Sequence, residues 1–250
     1  MVKLKFNEIR LLKTGHNNGY WNMALDEVLM KSISKSATGT PTLRLYGWNP
    51  AAVSIGYFQS IDQEVDVELC KKAGIDIVRR ITGGGAVLHD SELTYSFITR
   101  KYPQNMLESY RMICDPIRIC LVNLGFSKVR FAPLNDVIVD GKKVSGNAQT
   151  RKEGTLLQHG TILLDVDPEK MFTFLKVQKE KIRDKVIDNV RARVMGVNRT
   201  FDEISAALQG AFSMIFGAKV LADNITTQEI SNSHKLIKEK YGTYDWNWRR

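Results

Sequence analysis

Asn135-Asp136-Val137-Ile138-Val139-Asp140-Gly141-Lys142-Lys143-Val144-Ser145-Gly146-Asn147-Ala148-Gln149 holds two β-prone runs joined by Asp140-Gly141, and Asp-Gly between such runs signals a tight hairpin. The expected pairing is therefore antiparallel. In the second strand, period-2 alternation puts Lys143, Ser145 and Asn147 on one face and Val144, Gly146 and Ala148 on the other. Small residues opposite a lysine suit a strand whose backbone lies against a ligand or a neighbouring element. A lysine held there is a point charge fit for a phosphate, although the same pattern also suits an ordinary exposed strand.

Upstream stands Arg79-Arg80-Ile81-Thr82-Gly83-Gly84-Gly85-Ala86-Val87-Leu88-His89-Asp90. A glycine triplet costs folding entropy at each position, so it is kept where backbone must come very close to something. Free amides beside fixed positive charge suit an anionic group. Three glycines alone fit a flexible loop equally well; the arginines and the downstream lysine point to a site.

Around these motifs the periodicities predict strands over residues 5–13, Thr42–Tyr46, Ala52–Tyr57, Ile75–Arg80, Glu92–Thr99 and Leu156–Leu164. Helices are predicted over Trp21–Ser34, Val65–Ala73 and Met106–Asn123, the last kinked at Pro116. In Glu92–Thr99, Leu93, Tyr95 and Phe97 alternate with Thr94, Ser96 and Ile98. From Pro168 the pattern turns helical: Glu169–Leu175, a basic turn, Phe201–Phe212 and Thr227–Lys240. Strands first and helices last predict one α+β domain over 1–250, with a mixed, largely antiparallel central sheet, flanking helices and a mainly helical part from about 168.

The 250 residues suffice for a substantial core, and 43% hydrophobic with 25% charged residues is an ordinary globular composition. No apolar stretch approaches membrane-spanning length, and Met1 to Phe6 lacks a signal-peptide pattern. A cytoplasmic protein without membrane contact is expected. Cys70, Cys114 and Cys120 have no metal-ligand spacing, and the latter two fit buried helix positions. A net charge of +9 suggests an acidic partner. No stripe of basic and aromatic residues speaks for nucleic acid, and Lys176 to Arg193, with Lys179, Glu180, Lys181, Arg183, Asp184 and Lys185, suits a solvated helical face.

With Asn22-Met23-Ala24-Leu25-Asp26-Glu27, Leu43-Arg44-Leu45-Tyr46, Ser54-Ile55-Gly56-Tyr57-Phe58-Gln59, Gln158-His159-Gly160-Thr161-Ile162-Leu163-Leu164 and Tyr244-Asp245-Trp246-Asn247, the two motifs resemble the lipoate-protein ligase A family. Octanoyltransferases and biotin protein ligases belong to the same superfamily. The resemblance runs over nearly the whole chain. It implies a biotin/lipoate ligase catalytic fold and a two-step reaction. Lipoate and ATP, with Mg²⁺, give lipoyl-AMP; a lysine of a lipoyl domain, on a 2-oxoacid dehydrogenase E2 subunit or the glycine-cleavage H protein, then takes the lipoyl group.

Carried onto this sequence, the resemblance implies that Arg80, Gly85, Ala86, Val87, Leu88, Asn135, Asp136 and Lys143 hold ATP and the adenylate. Gly83, Gly84, Gly85, His89, Lys143, Ser145, Gly146, Ala148 and His159 would surround the lipoyl group, with Lys143 catalytic and Asp136 the site for Mg²⁺. Asp136 also fits a turn cap, His89 and His159 also fit structural hydrogen-bonding roles, and Gln59 faces the pocket or merely ends a strand. Tyr57 and Phe58 are expected in the core, and Trp48 fits a surface aromatic without a role.

An ATP-dependent lipoate-protein ligase is therefore the expected activity. The alternative is an octanoyltransferase, whose thioester intermediate needs a nucleophilic cysteine; the run from Phe126 to Val139 has none. A second alternative is a non-catalytic acyl- or nucleotide-binding protein. Longer ligases of the family carry a C-terminal accessory domain after a segment like Tyr244–Asn247. A separate small subunit docking near Trp246 is expected in its place, unless Trp246 and Trp248 pack on the chain's own core.

Overall fold

The computed structural model describes residues 4–132, 134–176 and 183–250. Lys179, Glu180 and Lys181 of the basic stretch lie outside the described residues. The elements run β1 (Glu8–Asn17), α1 (Gly19–Lys35), β2 (Thr42–Trp48), β3 (Ala52–Ile55), α2 (Ile61–Glu64), α3 (Val67–Lys72), β4 (Asp76–Arg79), β5 (Val87–His89) and β6 (Glu92–Thr99). There follow α4 (Met106–Asn123), β7 (Arg130–Ala132), β8 (Asp136–Val139), β9 (Lys142–Lys152), β10 (Thr155–Leu163), α5 (Pro168–Phe174), α6 (Arg183–Arg193) and α7 (Phe201–Phe216). The chain ends with β11 (Lys219–Asp223), α8 (Thr227–Leu236), a π turn (Ile237–Tyr241) and α9 (Tyr244–Asn247).

Eight strands form one sheet in the order β11-β1-β2-β6-β10-β9-β8-β7, and β4-β3-β5 form a second. Most pairings are antiparallel, as the hairpin motif predicts. Three are parallel, β1 with β2 through α1, β3 with β4 through α2 and α3, and β1 with the distant β11, which follows α7; periodicity alone does not reveal such returns of the chain. Strand β11 is absent from the sequence expectation because its five residues follow Gly217, where a helix stop masks a short edge strand. Residues 183–193 form α6, in keeping with the helical face read for the basic stretch and not with the turn placed between Leu175 and Phe201.

Period-2 alternation sorts the sheet's two faces. Leu11, Leu43, Leu45, Tyr95, Phe97 and Leu156 join Ile113 and Ile117 of α4 and Leu208, Phe212 and Phe216 of α7 in the largest apolar cluster. Leu12, Ile98 and Leu157 point the other way, onto Leu25 and Leu29 of α1. The predicted alternation of β6 is thus realised residue by residue. Burying aliphatic and aromatic side chains on this scale, about 1.5–3 kcal/mol each, is the main force holding the layers together.

On the α1 face the apolar contacts give way to a buried polar cluster. Arg44, Ser96 and His159 from three adjacent strands converge on Asp26 of α1, at 2.7, 2.7 and 3.1 Å. The Arg44 guanidinium also lies 3.8 Å over the Tyr46 ring. Burial pushes the Asp26 carboxyl up, yet Arg44 and His159 outweigh it and hold it below the usual range. A cluster so fully hydrogen-bonded fixes how α1 sits on the sheet.

Candidate active site

The glycine motif bridges β4 of the small sheet to β5, and its conformation is set by Arg80 and one glycine outside the triplet. Arg80 Nη2 donates to the carbonyls of Gly83 and Gly85 at 2.9 and 2.7 Å. Its Nη1 donates to Ser54 O and Oγ at 3.1 and 3.0 Å. The carbonyl of Gly84 lies against Gly56, where a Cβ would stand only 2.0 Å away. Gly84 itself takes a φ of +98°, open to glycine and strained for other residues. With the three carbonyls held in this way, the amides of Gly83, Gly84, Gly85 and Ala86 donate to no backbone carbonyl among the described residues. Such a row of amides is suited to a carbonyl oxyanion or another anion.

Arg79 plays a structural part instead. It is fully buried and donates to the carbonyls of Gly56, Tyr57 and Gln59 and to Asn247 O. Asn247 Oδ1 accepts from the Arg79 amide at 2.8 Å, and Trp246 Nε1 donates to Arg79 O at 2.9 Å. Trp246 and Trp248 therefore pack on the chain's own body, against two separate apolar clusters.

Beside the loop lies a cavity of about 420 Å³. Arg80, Gly84, Gly85, Ala86, Val87, Leu88, His89, Asn135, Lys143, Gly146, Ala148 and His159 all line it, so most of the residues singled out in the sequence meet in one place. Gly83 instead lines a second cavity across the loop, and Ser145 of β9 is fully buried. The strict alternation expected in β9 fails at a bulge, where Ile138 pairs with Lys143 but Val137 with Ser145. The bulge buries both Val144 and Ser145. It also turns Lys143 over Gly146, whose missing Cβ would lie 2.8 Å from Lys143 Nζ.

Lys143 Nζ pairs with Asp136 Oδ1 at 2.8 Å, both side chains about one-third exposed. That pairing neutralises the carboxylate expected to hold Mg²⁺. Among the described residues no group of three or more His, Cys, Asp or Glu is placed to bind a metal ion. Asn135 and Asn147 exchange amide-to-carbonyl hydrogen bonds that tie the approach to β8 to β9.

The two histidines are held in buried chains. His159 is bonded through Nε2 to Thr82 Oγ1 at 2.7 Å and through Nδ1 to Asp26; burial pulls its pKa below the usual value. His89 is bonded through Nε2 to Ser54 Oγ and through Nδ1 to Glu92 Oε1, each at 2.7 Å. Trp48, expected as a surface aromatic, is buried and stacks on the His89 ring at 3.9 Å because β2 runs to the cavity wall. Tyr57 and Phe58, expected in the core, sit in a turn instead, with Phe58 68% exposed. Gln59 Oε1 accepts from the Gly56 amide, closing that turn. Sequence reading also passed over Ser54, Glu92, Met23, Tyr46, Met171 and Val194 as lining residues. Only Ser54, a polar residue in an apolar strand, carried any signal.

The sequence model of the lipoyl protein ligase A/B catalytic domain matches residues 18–212. The chain belongs to this family. It is 34% identical to octanoyltransferase LipM of Anoxybacillus flavithermus over 96% of this chain and 98% of that one. With the LipM of Kyrpidia tusciae the identity is 36% at the same coverage. Among solved structures it matches a bi-partite lipoate protein ligase of Thermoplasma acidophilum with a TM-score of 0.88 and 33% identity, over 98% of this chain and 96% of the other. It matches a lipoate-protein ligase A bound with ATP at 0.84 and 30%, over 96% and 98%. The chain is thus an enzyme of the lipoate ligase and octanoyltransferase family, with the α+β catalytic fold expected of it, and its relatives place it in protein lipoylation.

The relatives correct one expectation. Curated proteins similar over nearly the whole chain are octanoyltransferases, which overturns the reading as an ATP-dependent lipoate-protein ligase. The physical reason is that a glycine loop, a lysine and an apolar cavity serve the acyl carbonyl alike whether the leaving group is a thiol or AMP. The missing cysteine was given too much weight against them.

Proposed function

We propose that this chain is an octanoyltransferase, moving a medium-chain acyl group from a thioester donor to the side-chain amine of a lysine on a lipoyl domain. What carries the proposal is a cavity of about 420 Å³, mostly apolar in its lining, that meets Lys143 and the glycine-loop residues Gly84, Gly85 and Ala86, whose amides donate to no backbone carbonyl among the described residues. Full-length similarity to octanoyltransferases supports the same reading. An acyl tail lies among Met23, Trp48, Val87 and Leu163, while its carbonyl faces the loop. Attack on that carbonyl makes a tetrahedral oxyanion, and preorganised donors aimed at developing charge give the largest rate gains. Lys143 and the loop amides are those donors. Acceptor lipoyl domains belong to E2 subunits and H protein in this reading.

The test is to mix the purified chain with an octanoyl thioester of a carrier protein and an apo lipoyl domain, without nucleotide. Mass spectrometry should show octanoyl on the acceptor lysine. Product formed only from free octanoate or lipoate with MgATP would overturn the proposal.

A further inference from the structure

We propose, resting on the octanoyltransferase reading, that the second cavity holds the phosphopantetheine arm of the thioester donor, its phosphate met by Lys31, Arg151 and Lys152. A thioester donor has two parts to place. Its acyl tail lies in the apolar cavity, so the arm beyond the sulfur has to leave the glycine loop in another direction. The loop divides two such spaces: Gly84 and Gly85 line the acyl cavity, while Gly83 lines the second. Where a Cβ of Gly83 or Gly85 would stand, nothing lies within 4 Å. A carbonyl held at the loop amides can therefore keep its tail on one side and its sulfur on the other.

Charge sorts the two sides. Along the segment into α5, the rim of the acyl cavity carries Asp90, Asp165 and Asp167. Asp90 is paired with Lys170 at 2.5 Å, whereas Asp165 and Asp167 accept backbone amides and are in no ion pair among the described residues. An anion leaving by that rim meets like charge. The second cavity, also of about 420 Å³, is the opposite. Lys31, Arg151, Lys152 and Lys240 line it against Glu27 and Glu153, so positive charge is in excess. Lys31 and Lys240 share the single carboxylate of Glu27, at 2.8 and 2.6 Å. Arg151 is fixed by donating to Gln104 O and Ser109 Oγ, each at 2.6 Å. Neither it nor Lys152 is in an ion pair among the described residues, so both charges are open to a phosphate.

The rest of the lining suits the rest of the arm. Between sulfur and phosphate such an arm carries amides and a gem-dimethyl group. Met30, Phe58, Ile81 and Trp246 offer the cavity apolar surface, and Ser34 and Thr150 add hydroxyls for the amides. Phe58, exposed in its turn, thereby gains a partner. Beyond it the guanidinium groups of Arg249 and Arg250 lie over the Tyr57 and Phe58 rings, at 3.7 and 5.2 Å, and extend the positive rim. The chain's net charge of +9 acts in the same direction, drawing an anionic donor towards the protein.

The experiment compares octanoyl thioesters that differ only in the arm, with an apo lipoyl domain as acceptor. The native chain should use octanoyl-phosphopantetheine at least about tenfold better in kcat/KM than octanoyl-pantetheine, with most of the gain in KM. Lys31→Ala combined with Lys152→Ala, and Arg151→Gln separately, should each shrink that preference to about threefold or less. Lys219→Ala, on the edge strand β11, should keep it. Because the readout is a ratio between two donors on one protein, a partial loss of folded variant does not move it. Octanoyl-CoA and an octanoyl carrier protein bear the same arm, and their relative kcat/KM tells which source the site serves. Native use of the two arms within about threefold, or a preference that survives both sets of substitutions, would overturn the proposal while leaving octanoyl transfer standing. Absence of transfer from every thioester would instead bring down the octanoyltransferase reading, and this proposal with it.

Discussion

Replacing Gly56 by alanine should displace the glycine loop although Gly56 does not itself line the cavity. A Cβ there would lie 2.0 Å from Gly84 O, 3.0 Å from Gly84 C and 3.3 Å from Gly83 C. All three are backbone atoms, so no side chain can swing aside. Ordinary contact begins near 3.4 Å, and relief requires the loop to retreat by about 1.4 Å. Arg80 resists, since it holds the flanking carbonyls of Gly83 and Gly85. Overpacking of this kind costs roughly 1–3 kcal/mol, which for a chain of this size lowers Tm by about 4–8 °C at the middle of that range. A misplacement of about 1 Å in an acyl-transfer site can cost about 100-fold in rate. The assay is octanoyl transfer to a lipoyl domain, followed by mass spectrometry, beside a thermal melt. Gly210→Ala is the control: nothing lies within 4 Å of its Cβ position in α7, so transfer should be unchanged and the melt raised slightly. A Gly56→Ala protein with native rate and native melt would falsify the claim that this close approach shapes the loop.

Lys143→Ala should cut transfer by about 100-fold or more and barely move the melt, because its partly exposed pair with Asp136 contributes about 0–1 kcal/mol; near-normal transfer would remove Lys143 from the mechanism, and Lys142→Ala should be tolerated. Replacing Cys70, Cys114 and Cys120 together by alanine should leave transfer largely in place, since burial pushes their thiols up to about 11, 12 and 12 and keeps them protonated; an acyl-thioester trapped on one of them in the native chain would contradict this. Burial tends to raise the Glu27 carboxyl, but Lys240, with Lys31 and Tyr241, brings it down to about 2. The folded value lies below the unfolded one of about 4.3, so this group contributes roughly 3 kcal/mol above that pH and loses it as pH falls towards 2. Urea titrations at pH 7 and pH 3 should therefore show a smaller acid loss for Glu27→Gln than for the native chain; equal losses would refute the assignment.

How much of this was legible depended on whether the cause was local. Asp140-Gly141 announced its hairpin, and the alternation of Leu93, Tyr95 and Phe97 announced which face of β6 meets the core. The glycine loop and Lys143 were visible because backbone freedom and a fixed charge are properties of single residues. The parallel pairings of β1 and β3 were not visible, since they depend on where a helix returns the chain. Nor was Ser54–His89–Glu92, three polar residues on β3, β5 and β6, each unremarkable alone and joined only by antiparallel register between β3 and β5. Function followed the same division. The glycine loop and Lys143 are written locally, and the fold brings most of the residues singled out with them to one cavity. What distinguishes a thioester from an adenylate is the leaving group, which neither local motif names. The sheet register that puts His89 opposite Ala52 and Val87 opposite Ser54 is therefore the level at which this hydrogen-bonded chain is decided.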